Sequence, residues 1–575
     1  MFTQLPTTID EFNTWPWEQI APFYADLQER PLTPETVHQW LSDWSKLSQL
    51  LAEKSSRLRV ATTQNTHDDA AEAAMNRYLD EIFPHLEVAE NKLEARLLAS
   101  GLEPDGLEIP LRNMRTDAAL FQEKNIPIIS QQMKRAQVYN RIIGGQTVAW
   151  EGEEITLTQL AARLETPDRN LRERGWRLMA DRRLEDRAAL NDLWAELLPL
   201  RHKIAQNAGL ANYRAYVWQL KKRFDYTPED AATFHQAIAD VVVPAASKVY
   251  ERYRQKLGVN TLRPWDVKAD AYLYALPTLR PFASTDQLAQ TSATIFHQVD
   301  PVLGDYFNTM RQESLLDMPN RKGKAPGAYC TNFPASKRPF IFMNSTGTGS
   351  DIRTLFHEAG HAFHNFERNK LPYHPQKASP MEFNEVASMA MELLTAPYIT
   401  KNGGGVVADG FFTPEEADNW FVTHLEKIVL FWPYMAVVDA FQHWAYLHID
   451  DAVDAAKCDA KWQELWQRYL PQIDFSGFED VLVTGWHRKQ HIFRAPFYYI
   501  EYGLAQLGAL QIWRNAMEDQ AQAVKDYRHA LALGGTQPLP ALYQAANVAF
   551  AYNHDMVGQM IALLEAEIEK RLPMA

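Results

Sequence analysis

Cysteine is scarce in this chain of 575 residues, which holds only Cys330 and Cys458. Two widely separated cysteines argue against the disulfide framework of a small secreted protein. They are also too few and too far apart for a zinc site built from cysteine pairs. The sequence therefore predicts two reduced thiols and a cytoplasmic location.

Long apolar runs and an excess of basic residues are also lacking. No window approaches 18 uninterrupted apolar residues, and residues 1–20 do not have a basic segment followed by an apolar one, so we expect neither a membrane span nor a signal peptide. The net charge of −14 repels polyanions, so we expect neither nucleic acid nor a membrane as a partner.

Apolar residues at helical spacing dominate the sequence. They recur through 33–53, 70–100, 171–208, 228–257, 414–448 and 538–571. Four Thr-Pro patterns predict helix starts with threonine as the N-cap, at Thr33, Thr166, Thr227 and Thr413. Strand signals are few and predict two hairpins, over 146–158 and over 327–344. These patterns indicate a mainly α fold with a small β component.

One predicted helix carries three histidines within eight positions. His357, Glu358 and His361 have the spacing HExxH. Residues four apart share a helix face, so the two imidazoles can bind one Zn²⁺. Glu358 is turned by about 100° from His357, where it can reach a water on that ion and serve as general base. We expect His364 to support the site or the core rather than to bind the metal.

The surroundings of these histidines favour a metal over a merely hydrogen-bonded pair. The helix is strongly apolar, and burying imidazole and carboxylate groups without partners would cost several kcal/mol. Gly360 costs about 1 kcal/mol in mid-helix relative to alanine, which predicts that another backbone packs closely against it.

A third ligand is expected on the next predicted helix, over 380–396. Its acids are Glu382, Glu385 and Glu392, and spacing alone does not choose between them. Small residues around Glu385 permit close helix packing, so we favour Glu385 and interpret the other two as ordinary surface or structural acids. The strand before the histidine helix, 340–344, is predicted to be an exposed edge that can pair with an extended peptide.

A second candidate segment contains His491, Tyr498, Tyr499 and Tyr502. At helical spacing Tyr502 shares a face with both other tyrosines. A phenol O–H can stabilise the negative charge that develops on a carbonyl oxygen during amide hydrolysis. A tyrosine-rich helix is more often part of a core or a cleft lining, so these residues alone favour that structural role over a catalytic one. Arg494 is a candidate for binding a substrate carboxylate.

With these residues, the sequence resembles the thimet oligopeptidase family of metallopeptidases and, within it, the oligoendopeptidase F branch. The resemblance is carried by HEAGHAFH from His357 and FNEVAS from Phe383. It extends to the stretches LLDMPNRKGKAPGAYCTNF, RPFIFMNSTGT, DAFQHW and HIFRAPFYYIEYG. It covers about the whole chain, most convincingly from residue 195 onward.

The resemblance implies a zinc site and its chemistry. His357, His361 and Glu385 would hold one zinc ion per chain, and Glu358 would be the general base. In the same family, histidine and tyrosine from the second segment act on the transition state. That role would fall first to His491 and Tyr499, then to Tyr502 and Tyr498.

The resemblance also implies an architecture. It is a mainly α fold with two helical lobes around a deep substrate channel and a small β element next to the HExxH helix. The expected division is an N-terminal helical region over 1–110, a small oligoendopeptidase-type N-terminal domain over 111–190 and a catalytic domain over 191–575.

The expected function is a cytoplasmic zinc endopeptidase that cleaves internal bonds of short, unstructured peptides with a zinc-activated water. One alternative is a carboxypeptidase or dipeptidyl carboxypeptidase on a similar scaffold. Another is a non-catalytic peptide-binding protein with a structural metal, against which Glu358 speaks because a structural site needs no base. The sequence does not give cleavage preference or oligomeric state.

Overall fold

The structure is a computed structural model that describes residues 2–6, 8–66, 68–164, 166–267, 280–321, 323–325, 327–401 and 410–572. Its elements confirm the mainly α prediction. The first half of the chain forms helices α1 (Ile9–Asn13), α2 (Trp17–Glu29), α3 (Val37–Gln64), α4 (Asp69–Arg77), α5 (Phe83–Ser100), α6 (Glu108–Leu120), α7 (Ile126–Gly144), α8 (Leu157–Arg163), α9 (Arg169–Glu185), α10 (Arg187–Asn207), α11 (Tyr213–Leu220), α12 (Pro228–Ala237) and α13 (Val243–Leu257).

The second half continues with helices α14 (Thr285–Val299), α15 (Pro301–Gln312), α16 (Gly349–Arg368), α17 (Met381–Leu394), α18 (Pro414–Leu447), α19 (Ile449–Ala452), α20 (Ala455–Tyr469), α21 (Glu479–Val483), α22 (Gln490–Arg494), α23 (Tyr499–Glu518), α24 (Gln520–Ala532), α25 (Leu539–Ala545) and α26 (His554–Arg571). The strands are β1 (Thr147–Trp150), β2 (Glu153–Thr156), β3 (Leu316–Pro319), β4 (Tyr329–Phe333) and β5 (Arg338–Ser345). Short 3₁₀ or π turns link several helices, among them Thr484–Arg488 before α22.

Two of the four predicted threonine caps are confirmed. The Thr227 side chain accepts a hydrogen bond from the third helical residue, and Thr413 does the same at the start of α18. The prediction at Thr166 is wrong because Asp168, two residues on, accepts from the backbone N–H groups of α9. The prediction at Thr33 is wrong because residues 33–36 form a turn that delays the start of α3.

Both predicted hairpins are confirmed, and one strand was missed. β1 and β2 pair antiparallel around Glu151 and Gly152, which both have positive φ. β4 and β5 also pair antiparallel. The missed strand β3 adds in parallel on the other side of β5, so the sheet order is β3-β5-β4. The predicted exposed edge at 340–344 is therefore wrong, since β5 is central and both its sides are paired.

The described chain divides into two compact units. The first comprises Met1–Ala118, Leu279–Ala417 and Gly508–Phe550. In it β5 leads directly into α16, which packs against α17 and the three-stranded sheet. The predicted β element beside the HExxH helix is thus confirmed, whereas the channel and the division at residues 110 and 190 stay predictions.

The second unit comprises Ala119–Thr278, Asp418–Leu507 and Ala551–Ala575. Its core is rich in tryptophan, with Trp194, Trp432, Trp462 and Trp486 fully buried. α18 is long and apolar enough to cross a membrane, but 78% of its most apolar 18-residue window is buried in protein. That burial is typical of a central core helix.

Candidate functional site

The HExxH residues lie on α16, whose start is fixed by Asp351. The Asp351 carboxylate accepts hydrogen bonds from the backbone N–H groups of residues 346–348 at 2.7–2.9 Å. These N–H groups belong to the two loop residues and the N-cap residue just before the helix, where no helical carbonyl oxygen accepts from them. The cap therefore sets where α16 begins after β5, and with it the direction in which His357 and His361 project.

α17 crosses α16 at Gly360. A Cβ atom on Gly360 would lie 2.4 Å from the carbonyl oxygen of Ala387 and 2.6 Å from the Cα of Ser388. Only glycine permits this approach. The prediction that another backbone packs against Gly360 is confirmed, and the small residues beside Glu385 are the ones in contact.

This crossing brings three metal-binding groups together. The Nε2 atoms of His357 and His361 lie 3.6 and 3.7 Å from Oε2 of Glu385. The ligand atoms of the three residues all lie within 4.8 Å of one another. Of the three acids on α17, the structure therefore places Glu385 where the sequence reasoning expected the third ligand.

The remaining nitrogen of each histidine has its own partner. Nδ1 of His357 lies 2.7 Å from Oε1 of Glu392, and His361 hydrogen-bonds to the backbone of Asn384. Such partners orient metal-binding imidazoles. The interpretation of Glu392 as an ordinary acid missed this contact, and its spacing of seven residues from Glu385, two helical turns, is the signal that could have indicated it.

The two histidines have opposite pKa shifts. Burial lowers the pKa of His357, but hydrogen bonds to Glu385 and Glu392 outweigh it and raise the pKa well above its usual value. Burial lowers the pKa of His361 to about 4. The neutral imidazole that a metal requires is thus the ordinary form of His361, while His357 needs a cation to displace its proton.

Glu358 is buried beside this cluster, with 6% of its surface exposed. Burial raises its pKa to about 7, and the charges of Glu385 and Glu392 add to the increase, whereas the charge of His357 and a backbone hydrogen bond from Cys330 oppose it. A carboxyl group with a pKa near the working pH can both accept and donate a proton.

Two further residues singled out in the sequence lie outside the donor cluster, by which we mean His357, His361 and Glu385. His364 is buried against the ring of Phe383, with Nε2 3.5 Å from the hydroxyl of Ser379. This agrees with the expected core role. Glu382 is also buried, with 3% of its surface exposed, so it is a structural rather than a surface acid.

The donor set fits a zinc ion. A tetrahedral site with bonds of about 2.1 Å separates its ligand atoms by about 3.4 Å, close to the 3.6 and 3.7 Å separations from Glu385. Two imidazoles and one carboxylate leave one position open, as in catalytic zinc sites. A buried group of His357, Glu358, Glu385 and Glu392 is also the charge environment that a divalent cation stabilises.

The second candidate segment lies in the second unit. The ring centre of His491 is 5.7 Å from that of Tyr498, 4.9 Å from Tyr499 and 6.3 Å from Tyr502. The four predicted residues therefore form one cluster. Burial and, to a lesser extent, the charge of Lys489 lower the pKa of His491 to about 3, so its imidazole is neutral at pH 7.

A strained residue precedes the tyrosines. Phe497 has a φ of 61°, in the left-handed region that costs about 1 kcal/mol or more for a side chain of this size. Its N–H donates to Oε1 of Gln442 at 2.8 Å, and its carbonyl oxygen accepts from Arg223. Arg223 in turn pairs with Glu501. Sequence reasoning missed this arrangement, because a positive φ at phenylalanine has no signature in composition or spacing.

Arg494, the candidate for a substrate carboxylate, lies at the end of α22. It is exposed, and its Nη1 atom is 3.5 Å from Oε1 of Gln490. Nothing in its contacts assigns it a role.

Comparison with known proteins identifies the family to which this chain is similar. Residues 162–560 match the model of peptidase family M3, and residues 11–108 match the M3 N-terminal domain. A crystal structure of an oligoendopeptidase F candidate has a TM-score of 0.87 and 28% identity, over 99% of this chain and 98% of that one. A structure of PZ peptidase A with an inhibitor has a TM-score of 0.87 and 26% identity, over 99% of both chains.

Curated relatives share less of their sequence with this chain. An oligoendopeptidase F homologue from Borreliella burgdorferi is 22% identical over 307 residues, which are 52% of this chain and 49% of the relative. A second, from Mycoplasma pneumoniae, is 26% identical over 50% of this chain and 48% of the relative. The chain thus spans about half the length of the curated relatives that it matches.

Proposed function

The chain belongs to peptidase family M3, and from this premise we propose that it is a zinc-dependent endopeptidase acting on internal bonds of short, unstructured peptides. The observation that carries the proposal is the cluster of His357, His361 and Glu385 with the carboxyl group of Glu358 beside it. The names of its relatives, oligoendopeptidase F and PZ peptidase A, support the choice of short peptides as substrates.

The metal would be held by His357, His361 and Glu385. When bound there, zinc supplies Lewis acidity and lowers the pKa of a bound water to about 7. Glu392 and the backbone of Asn384 hold the two imidazoles with their Nε2 atoms towards Glu385.

Glu358 would transfer a proton from the attacking water to the leaving amine. As a carboxylate it takes a proton from the attacking water, and as a carboxylic acid it gives that proton to the leaving amine nitrogen. Both steps require a group that changes protonation state near neutral pH, which its raised pKa of about 7 provides.

His491 and the tyrosines are proposed to bind the carbonyl oxygen of the scissile bond. The imidazole of His491 is neutral at pH 7 and can donate one hydrogen bond. Tyr499 is the first candidate among the phenols because its ring lies nearest to His491, and Tyr502 and Tyr498 follow. Such donors are typically worth about 10²–10³ in rate.

Peptide backbone would pair with β4 rather than with β5. β4 is an edge strand of the three-stranded sheet, and Cys330 within it hydrogen-bonds to Glu358. An extended peptide added to this edge would be recognised through backbone hydrogen bonds, which tolerate many sequences. Two free cysteines fit the reducing cytoplasm, where we place the activity.

The decisive variant is Glu358→Gln, with Glu382→Gln as its matched control. Both replace a buried acid by its amide, but Glu382 lies outside the donor cluster. Turnover of a fluorogenic peptide should fall by about 10²–10⁴ in E358Q and stay within a few-fold in E382Q, while both bind one zinc per chain. Unchanged turnover in E358Q would refute the mechanism.

A further inference from the structure

Two arginines of the second unit lie together without an acid. Arg183 is near the end of α9, and Arg488 ends the 3₁₀ turn before α22. Within the described residues, neither guanidinium has an ion pair or a hydrogen bond. Burial lowers the pKa of each guanidinium, and the charge of Arg488 lowers the pKa of Arg183 further. We call these two residues the arginine pair.

The arginine pair lines one cavity. Gln146, Thr484 and His487 contribute polar groups to the lining. The cavity is largely enclosed, and its free space admits about one particle of the size of a water molecule. The groups that raise the pKa of both arginines are two phenols, Tyr139 and Tyr434, and phenols carry no charge at pH 7.

This arrangement is unfavourable without a further partner. Two like charges held close in a poorly hydrated site repel each other, and each loses hydration. Two other buried arginines of this unit pair with carboxylates, Arg223 with Glu501 and Arg172 with Asp266. A third, Arg201, donates to a hydroxyl and to backbone carbonyl oxygens. The arginine pair has no such acceptors among the described residues, and an anion would supply them.

We propose that the arginine pair binds a monatomic inorganic anion of the size of chloride. Chloride and bromide are somewhat larger than a water molecule and need only a small movement of the cavity walls, whereas phosphate, sulfate or a peptide carboxylate needs a much larger one. Guanidinium groups also suit such a weakly hydrated site better than ammonium groups.

The bound anion would order the segment that carries His491. Arg488 is three residues before His491 in the chain, and the hydroxyl of Tyr139 donates to the carbonyl oxygen of His487 at 3.0 Å. By neutralising both guanidinium charges, the anion would hold the turn Thr484–Arg488 against α7 and α9. Any resulting gain in peptide cleavage rests on the proposed function, whereas anion binding itself does not.

The test uses thermal unfolding of the zinc-loaded chain at constant ionic strength. Sodium bromide or chloride replaces sodium gluconate, and the compared variants are Arg183→Gln and Arg182→Gln. Arg182 is the matched control because it lies on the same helix and is paired with Asp186 at 2.8 Å. We expect halide to raise the Tm of the wild type and of R182Q by about 2–4 °C and to leave the Tm of R183Q unchanged.

Anomalous diffraction from crystals grown in bromide provides a second, independent readout. A bromide peak between the two guanidinium groups, absent in R183Q, supports the proposal. Equal Tm shifts in wild type and R183Q, or no peak at the pair, would overturn it. A peak without any Tm shift would mean an adventitious ion only, and a shift with sulfate but not with halide would refute the argument from size. None of these readouts depends on peptidase activity.

Discussion

Glu392 connects a structural contact to metal affinity. Its carboxylate lies 2.7 Å from Nδ1 of His357, on the side of the ring away from Glu385. A hydrogen bond there fixes the tautomer of the imidazole and makes its other nitrogen a better ligand. The residue never needs to touch the metal to influence it.

Replacing Glu392 by glutamine should therefore weaken zinc binding by about 10–100-fold. The affinity is measured by competition with a chromogenic chelator at pH 7.5. Glu382→Gln, on the same helix and also buried, serves as the control and should keep wild-type affinity. If E392Q bound zinc as tightly as the wild type, the orienting role would be wrong.

Lys489, beside the second candidate segment, makes the folding stability of the chain depend on pH. Its ammonium group lies 3.5 Å from the centre of the Tyr499 ring, and burial lowers its pKa to about 7. The unfolded chain, with a lysine pKa of about 10.4, binds more protons than the folded chain between these values. Stability therefore rises with pH across this window, and the cost of the charge is fully present below pH 7.

Lys489→Met removes that cost. The variant should gain about 1–2 kcal/mol over the wild type at pH 6, after allowance for partial exposure, and much less at pH 9.5. Midpoints of urea unfolding at the two pH values measure the difference. Lys203→Met, at an exposed position of α10, should show no such pH dependence. An equal gain for K489M at both pH values would contradict the assignment.

The sequence predicted much of this residue-scale geometry. HExxH spacing on one helix fixes the relation of His357 to His361, so their shared face followed from helical geometry alone. Glu385 followed from the small residues around it, which a close helix crossing requires. Glu392 did not follow, because the contact with His357 depends on the rotation and register of α17 against α16, which only tertiary packing decides.

At the scale of elements, the crossing of α16 and α17 determines the site. Gly360 allows the two backbones to meet, and the space a Cβ would need is taken by Ala387 and Ser388. Separating the helices would move Glu385 away from both histidines. The arrangement of the three metal-binding side chains thus depends on Gly360, which has no side chain and binds no metal.

Gly360→Ala should destabilise the chain by about 1–3 kcal/mol through this overlap and lower zinc affinity with it. Gly558→Ala in α26 is the matched control, since a Cβ there meets nothing within 4 Å and alanine should stabilise the helix by up to about 1 kcal/mol. Thermal unfolding and chelator competition on both variants test the claim. Wild-type zinc affinity in G360A would show that the crossing does not position the ligands.

Among the elements, the long helices and both hairpins were predicted, whereas strand β3 and the cap of α9 were not. Helical periodicity located the long helices, and turn residues located both hairpins. β3 was missed because a parallel strand pairs with a segment more than twenty residues away, so no turn signal announces it. The same omission made β5 look like an edge. The cap at Asp168 was missed because Thr166 and Asp168, two positions apart, can both serve as N-cap, and packing of α9 selects one.

At the scale of the whole molecule, each compact unit is assembled from three separate segments of the chain. Composition and periodicity describe neighbours in sequence, so they do not indicate which distant segments share a core. The expectation that one fold extends over the whole chain came instead from the family resemblance. The M3 matches over residues 11–108 and 162–560 agree with that resemblance.

The central claim is zinc-dependent cleavage of internal peptide bonds. It is tested most directly by incubating the chain with short peptides, half of them amidated at the C-terminus, with and without a chelator, and identifying the products by mass spectrometry. We expect internal cuts in free and amidated peptides alike, lost with the chelator and restored by zinc. Trimming confined to free C-termini, or no cleavage by a chain with zinc bound, would contradict it.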